Sequence, residues 1–278
     1  MEDEFVVADG GRFCGVFDGH GGGNVSQYLK THCYPKVCAK LDQSSQELGG
    51  TASSVSFSAT ALRAAFDELE EEIVSQDDWQ YQGSTAVAVM VHEDVLGQRT
   101  LLSANVGDSR AILSRGGTAV NLTRDHKPND DREKNRILSM GETLEWDNVS
   151  KVHRVRNLSL SRALGDRYAK PVVSAQVDIQ HYPVQEDTDE FVLLASDGLW
   201  DVMTSQDVVS YVHRRMEREL EHVPPADRPN AQLVMRRNMS KWVAREALRR
   251  GTADNVCVLM VWLNNDKSEK GSVKDVSR

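Results

Sequence analysis

The chain has 278 residues, 40% of them hydrophobic, and carries a formal net charge of −9. That length and apolar content are enough to bury a sizeable core in one large domain or two small ones, and they exclude disorder as the main state. The acidic balance argues against nucleic acid or an anionic membrane surface as a partner, and leaves carboxylates available for hard cations. The four cysteines, Cys14, Cys33, Cys38 and Cys257, contain no C-x-x-C pair. Neither a zinc cluster nor a thioredoxin-like motif is suggested, and reduced, mostly buried thiols are expected. No stretch is apolar and long enough to cross a bilayer, and the opening Met1-Glu2-Asp3-Glu4 is the opposite of a basic leader. The expectation is a soluble, intracellular protein of the cytoplasm or nucleus, with no membrane insertion and no need for more than a monomer.

In chain order, residues 3–18 read as a hairpin of two short strands separated by Asp9-Gly10-Gly11, the second strand running into Asp18-Gly19-His20-Gly21-Gly22. From Asn24 the pattern turns helical, with Val25, Tyr28, Leu29 and His32 on one face, and Pro35 is expected to kink or restart the helix. After a Ser/Gly-rich loop, Leu62, Phe66, Leu69 and Ile73 recur at three- and four-residue intervals, which predicts an amphipathic helix over 57–73. Strands follow at 84–91, 100–106 and 110–113 and around Ala119, in the rhythm of an antiparallel meander. Residues 129–140 read as helix, 142–157 as polar and irregular, and 172–182 and 191–195 as strands. Two helices are expected next, one carrying Val208, Val209 and Val212, the other Met235, Met239, Trp242 and Val243. A last strand covers 256–263, and the polar tail from Asn264 is expected to fray. Antiparallel strand runs interrupted by helices in pairs predict an α+β fold, two sheets packed face to face with helices outside, in a single domain over 1–263.

Chemistry gathers at strand ends. The apolar strand before Asp18-Gly19-His20 delivers a carboxylate and an imidazole into a turn, and glycine there lets a backbone carbonyl approach a ligand. The strand at 191–195 likewise ends in Ser196-Asp197-Gly198-Leu199-Trp200-Asp201, while Glu2-Asp3 and Asp254-Asn255 each precede a strand. Any one of these could be an ordinary turn or cap. Four together point to an oxygen-only site for Mg²⁺ or Mn²⁺, which in pairs activate water. Gly107-Asp108-Ser109-Arg110 is explained by a hairpin turn, yet in this company Asp108 is a candidate ligand or an orienter of His20. Asp125-His126-Lys127-Pro128 reads as loop ordering and Ser161–Asp166 as a structural turn. No G-x-S-x-G elbow, P-loop, H-E-x-x-H or C-x5-R motif is present, which leaves metal-activated water as the nucleophile.

Taken in order, Met1-Glu2-Asp3, Phe17 to Gly22, Gly107-Asp108-Ser109-Arg110, Asp125-His126-Lys127-Pro128, Ser161 to Asp166, Ser196 to Asp201 and Asp254-Asn255 resemble the type 2C, metal-dependent (PPM) protein phosphatase family. The resemblance runs from the first residue to about Leu263. It implies a central sandwich of two antiparallel sheets with helices on both outer faces, two Mn²⁺ or Mg²⁺ ions with a third, weaker one, and phosphoserine and phosphothreonine proteins as substrates. By the same resemblance Asp18 bridges two cations, the Gly19 carbonyl binds one, Asp197 and Asp254 hold the other, and Glu2 and Asp3 act largely through water. Asp108 resembles the residue of the third metal, His20 the acid that protonates the leaving oxygen, and residues 129–157 a mobile flap. The family's phosphate-gripping arginine lies a few residues before Met-Glu-Asp, ahead of this sequence, and Arg12 is misplaced for that role. The resemblance therefore implies a fragment lacking its first edge strand, or another basic group in the arginine's place. A catalytically weak regulatory relative of the same fold is the competing reading, and a nucleotide- or sugar-phosphate hydrolase a third.

Overall fold

A computed structural model describes residues 1–47, 54–263 and 274–277; the side chains of 44–47 and 274–277 are not described. The chain opens with strands β1 (Glu4–Ala8), β2 (Phe13–Phe17) and the two-residue β3 (Gly19–His20). Helices α1 (Asn24–Glu47) and α2 (Val55–Val74) follow. Then come β4 (Gly83–Ser84), β5 (Ala86–Glu93), β6 (Arg99–Val106), β7 (Arg110–Arg115) and β8 (Thr118–Asn121). Helix α3 (Asp131–Ser139) leads into a short hairpin, β9 (Glu145–Asp147) and β10 (Val152–Arg154), and then β11 (Leu164–Gly165). The second half holds β12 (Asp178–Pro183), β13 (Asp189–Ala195), the one-turn α4 (Asp197–Trp200), α5 (Ser205–Leu220) and α6 (Arg228–Arg249). It closes with β14 (Val258–Trp262) and β15 (Lys274–Ser277).

Two five-stranded antiparallel sheets form the centre, ordered β1-β2-β5-β6-β12 and β15-β14-β13-β7-β8. Strict alternation along the strands builds three apolar layers. In β13, Val192 and Leu194 face the opposing sheet with Cys14, Val16, Val87 and Val89, while Phe191, Leu193 and Ala195 face α5 and α6. In β5, Val87 and Val89 point inward and Ala86, Ala88 and Met90 point towards α1 and α2. Both faces of the inner strands β2, β5, β13 and β14 are thus dry, which explains why they read as near-continuous apolar runs. Each large side chain in these layers contributes roughly 1.5–3 kcal/mol by leaving water. The observed layering is the α+β sandwich that the strand and helix spacing predicts.

Four local expectations differ from the structure. Helix α1 runs unbroken through Pro35. Val25, Leu29, Cys33 and Val37 are buried at four-residue spacing on either side of it, while Pro35 and Thr31 are exposed, so the carbonyl that loses its donor faces water. Residues 172–177, expected as strand, run as a buried loop in which Val172 and Val173 pack on Ile137, Val155, Leu160 and Ala163. Residues 142–157 are not wholly irregular, since β9 and β10 pair antiparallel. In the tail, expected to fray, residues 274–277 pair with β14 as an edge strand, while 264–273 lie outside the described residues.

Candidate metal centre

Antiparallel register places the functional residues at one end of the sandwich. The pairs Glu4 with Phe17, Ala86 with Val106, and Ala195 with both Arg110 and Val258 mark that end. Glu2 and Asp3 precede β1, Asp18 and Gly19 leave β2, and His20 lies in β3. Asp108 caps the β6–β7 hairpin, Asp197 leaves β13 and Asp254 precedes β14. All eight line one cleft of about 270 Å³, together with Thr85, Asn255, Arg154 and the run Leu158, Ser159 and Leu160.

Backbone contacts hold the donors in place. The amide of Asp18 donates to Thr85 Oγ1 at 3.1 Å, and the Thr85 amide returns to the Asp18 carbonyl at 2.9 Å. A Cβ on Gly19 would stand 2.8 Å from the Glu2 carbonyl oxygen and 2.7 Å from Ser26 Oγ, so only glycine admits that approach. Ser26 Oγ donates to the same Glu2 carbonyl at 2.6 Å. Asp3, 2% exposed, accepts from Ser196 Oγ at 2.9 Å, and Ser196 Oγ accepts from the Cys257 amide at 2.9 Å. That last relay joins the two sheets across the cleft.

The electrostatics are those of crowded carboxylates. Burial, then repulsion from Asp3, Asp197, Asp108 and Asp254, holds the Asp18 carboxyl well above the usual range. Burial and the Asp108 charge push Asp197 up to about 7 against the attraction of Lys127, and burial raises Asp201. Lys127 Nζ lies 2.5 Å from Asp108 Oδ2 and 3.6 Å from Asp197 Oδ2. Burial lowers its pKa, but the neighbouring carboxylates Asp108 and Asp197 outweigh that and raise it. A divalent cation relieves this stored repulsion, and the donors are all oxygen, as hard cations require. Among the described residues, no three His, Cys, Asp or Glu side chains are arranged to hold an ion unaided. The residues fit a hard ion that completes its shell with a backbone carbonyl and water.

Two contacts were hidden from sequence reasoning. Asp108 does not orient His20; it pairs with Lys127, from the segment read as mere loop ordering. The residue against His20 is Asp166, whose Oδ2 accepts from Nε2 at 2.7 Å, from the segment read as a structural turn. Burial disfavours the charged imidazole, but the Asp166 hydrogen bond and charge, with Asp108 and Glu2 further off, raise its pKa overall. His126 keeps the structural role expected of it: Nδ1 accepts from the Gly107 amide at 3.1 Å and Nε2 donates to Asp178 at 3.1 Å.

A helix-flanked two-sheet sandwich with a carboxylate-lined cleft at one sheet end defines the class of this protein. Within that class the chain matches the family model described as protein phosphatase 2C over residues 7–256. It belongs to the protein phosphatase 2C family. It is 35% identical over 260 residues to an Arabidopsis thaliana protein named probable protein phosphatase 2C 69, covering 93% of this chain and 63% of that protein. A rice (Oryza sativa subsp. japonica) relative named probable protein phosphatase 2C member 13, mitochondrial, is 35% identical over 255 residues, covering 92% and 61%. The chain thus spans less than two thirds of the length of these relatives. Among solved structures, a C. elegans sex determining protein superposes with a TM-score of 0.77 at 27% identity, over 95% of this chain and 61% of that one. A serine-threonine phosphatase 2C from Toxoplasma gondii gives 0.68 at 23% identity, over 90% and 84%, and supports the fold.

Proposed function

We propose that this chain hydrolyses phosphoserine and phosphothreonine in protein substrates, with residues 1–263 acting as one catalytic unit and as a monomer. One observation carries the reading: seven oxygen donors and one imidazole from five separate stretches of chain face a single cleft. The cofactors we assign are two Mn²⁺ or Mg²⁺ ions, which Asp18, the Gly19 carbonyl, Asp197 and Asp254 would hold. Glu2 and Asp3 would act through water, and Asp108 would serve a third, weaker ion. When bound, such ions lower the pKa of a water nucleophile and offset phosphate charge.

The chain's own residues supply the rest. His20 protonates the departing serine or threonine oxygen as its bond to phosphorus breaks. Arg154 is the one Lys or Arg among the described residues lining the cleft, and we assign it the grip on the substrate phosphate. Its guanidinium is aimed by Asp147 at 3.0 Å and the Asn157 carbonyl at 3.0 Å, both in the flap. Selection among phosphoproteins would then rest with residues 129–157. Free cysteines support an intracellular setting, cytoplasmic or nuclear; among the described residues no helix is long and apolar enough to cross a membrane. The test is phosphate release from a phosphothreonine peptide with Mn²⁺, with excess chelator, and in Asp197→Ala, beside a nucleotide substrate. Metal-dependent release that Asp197→Ala abolishes is expected. Unchanged turnover in that variant, or preference for the nucleotide, would overturn the assignment.

A further inference from the structure

Strands β11, β4 and β3 form a three-stranded sheet beside the cleft, in which Gly83 pairs with His20 on one side and with Gly165 on the other. Register alone therefore brings His20 and the residue after Gly165 to opposite flanks of Gly83. The two side chains meet over it. A Cβ on Gly83 would stand 2.1 Å from Asp166 Oδ2 and 2.6 Å from His20 Nε2, so the contact exists only because this position has no side chain. Asp166 is completely buried, its backbone is held in the left-handed region at φ 49° and ψ 45°, and among the described residues its Oδ1 has no hydrogen-bond partner.

That left-handed conformation is uncommon for residues other than glycine, asparagine and aspartate. It is held by the Asp166 amide donating to the Gln82 carbonyl at 2.8 Å and the Ala169 amide donating to the Asp166 carbonyl at 2.8 Å. The Gly165 amide, at φ +82°, donates to Glu70 on α2 at 2.8 Å. A buried carboxylate with one oxygen unpaired is costly unless a cation or a strong donor serves the other. His20 is that donor.

We propose that Asp166 is a positioning residue for the reaction, holding the His20 ring in one tautomer and orientation so that Nδ1 addresses the leaving oxygen, with Gly83 as the gap that permits the contact. This rests on the reading of His20 as general acid. In the step itself the P–O bond to the serine or threonine oxygen breaks, the proton passes from the imidazolium to that oxygen, and water supplies the new oxygen on phosphorus; the proton that this water gives up passes to solvent, from which the imidazole is protonated again. Asp166 stays a carboxylate throughout and exchanges no proton.

The test compares Asp166→Asn, Gly83→Ala and His20→Ala on a phosphothreonine peptide and on p-nitrophenyl phosphate, whose leaving group needs no proton. General acid catalysis contributes about 10²–10⁴-fold, so Asp166→Asn is expected to lower kcat on the peptide by roughly 10–100-fold while changing it on the aryl phosphate less than about threefold. KM and Mn²⁺ affinity by calorimetry should stay as in the parent. Gly83→Ala should show the same split, and Asp166→Asn combined with His20→Ala should be no slower than His20→Ala alone. A split in His20→Ala without one in Asp166→Asn refutes the positioning role while leaving the acid in place. Equal losses on both substrates in His20→Ala overturn the acid and the proposal with it. Circular dichroism and thermal melting identify a misfolded Gly83→Ala, in which case the Asp166→Asn result decides.

Discussion

Glu133 links helix α3 to the loop that carries Asp108, and its replacement by glutamine should be among the most damaging single changes outside the cleft. The residue is 2% exposed and accepts from Arg162 at 3.0 and 2.6 Å, from Arg136 at 3.2 and 2.8 Å and from Ser161 Oγ at 2.8 Å. Arg162 continues to Asp178 at 3.0 Å, Asp178 to His126 at 3.1 Å, and His126 to the Gly107 amide, one residue before Asp108. Burial opposes its ionisation, but these guanidinium and hydroxyl hydrogen bonds prevail and hold its pKa at about 2 against an ordinary 4.5. That depression corresponds to roughly 3 kcal/mol of stability. Solvent at the Asp178 end, whose side chain is 36% exposed, trims this to about 2–3 kcal/mol. Because the folded pKa is depressed, the contribution is complete above pH 4.5 and is lost as pH falls towards 2. Urea denaturation of the parent and Glu133→Gln at pH 7.5 and pH 4 is the assay. Glu133→Gln should unfold about 2–3 kcal/mol more easily at pH 7.5, with a smaller gap at pH 4. A gap under about 0.5 kcal/mol at pH 7.5, the scatter of ordinary surface substitutions, would refute the reasoning.

Two further predictions concern the cleft. Arg154→Ala should raise KM for a phosphopeptide about 10–100-fold while leaving Mn²⁺ affinity unchanged, since it removes one charged contact to phosphate worth roughly 1.5–3 kcal/mol; steady-state kinetics with calorimetry checks both. Lys127→Met removes the ammonium that neutralises Asp108 and Asp197. The metal-free variant should melt lower than the parent, while the weakest Mn²⁺ site binds about tenfold tighter, a differential of ~1.4 kcal/mol. Weaker Mn²⁺ binding would show that Lys127 supports the site and does not compete for it.

Much of the candidate site was legible because the signals are local. A strand read from alternation ends where its apolar run ends, so a carboxylate such as Asp18 or Asp197 is placed at a sheet edge before any pairing is known. Antiparallel pairing then obliges those edges to coincide, which is why Glu2, Asp3, Asp18, Asp108, Asp197 and Asp254 share one cleft. The layered fold was legible for the same reason, as period-two and period-3.6 patterns report which face is dry.

What only tertiary structure decided depends on partners distant along the chain. Asp166 lies 146 residues from His20, and a segment that looks like a turn becomes part of the site because Gly83 stands between them. Lys127 reaches Asp108 and Asp197 because the chain from β8 folds back over the β6–β7 hairpin, which no local pattern encodes. Pro35 stays inside a helix because buried side chains on both flanks outweigh one lost hydrogen bond, and residues 172–177 stay out of a sheet because Val172 and Val173 are buried against Ile137, Val155 and Leu160. Local residues set what each segment can do; the free energy of packing against remote segments chose among those options.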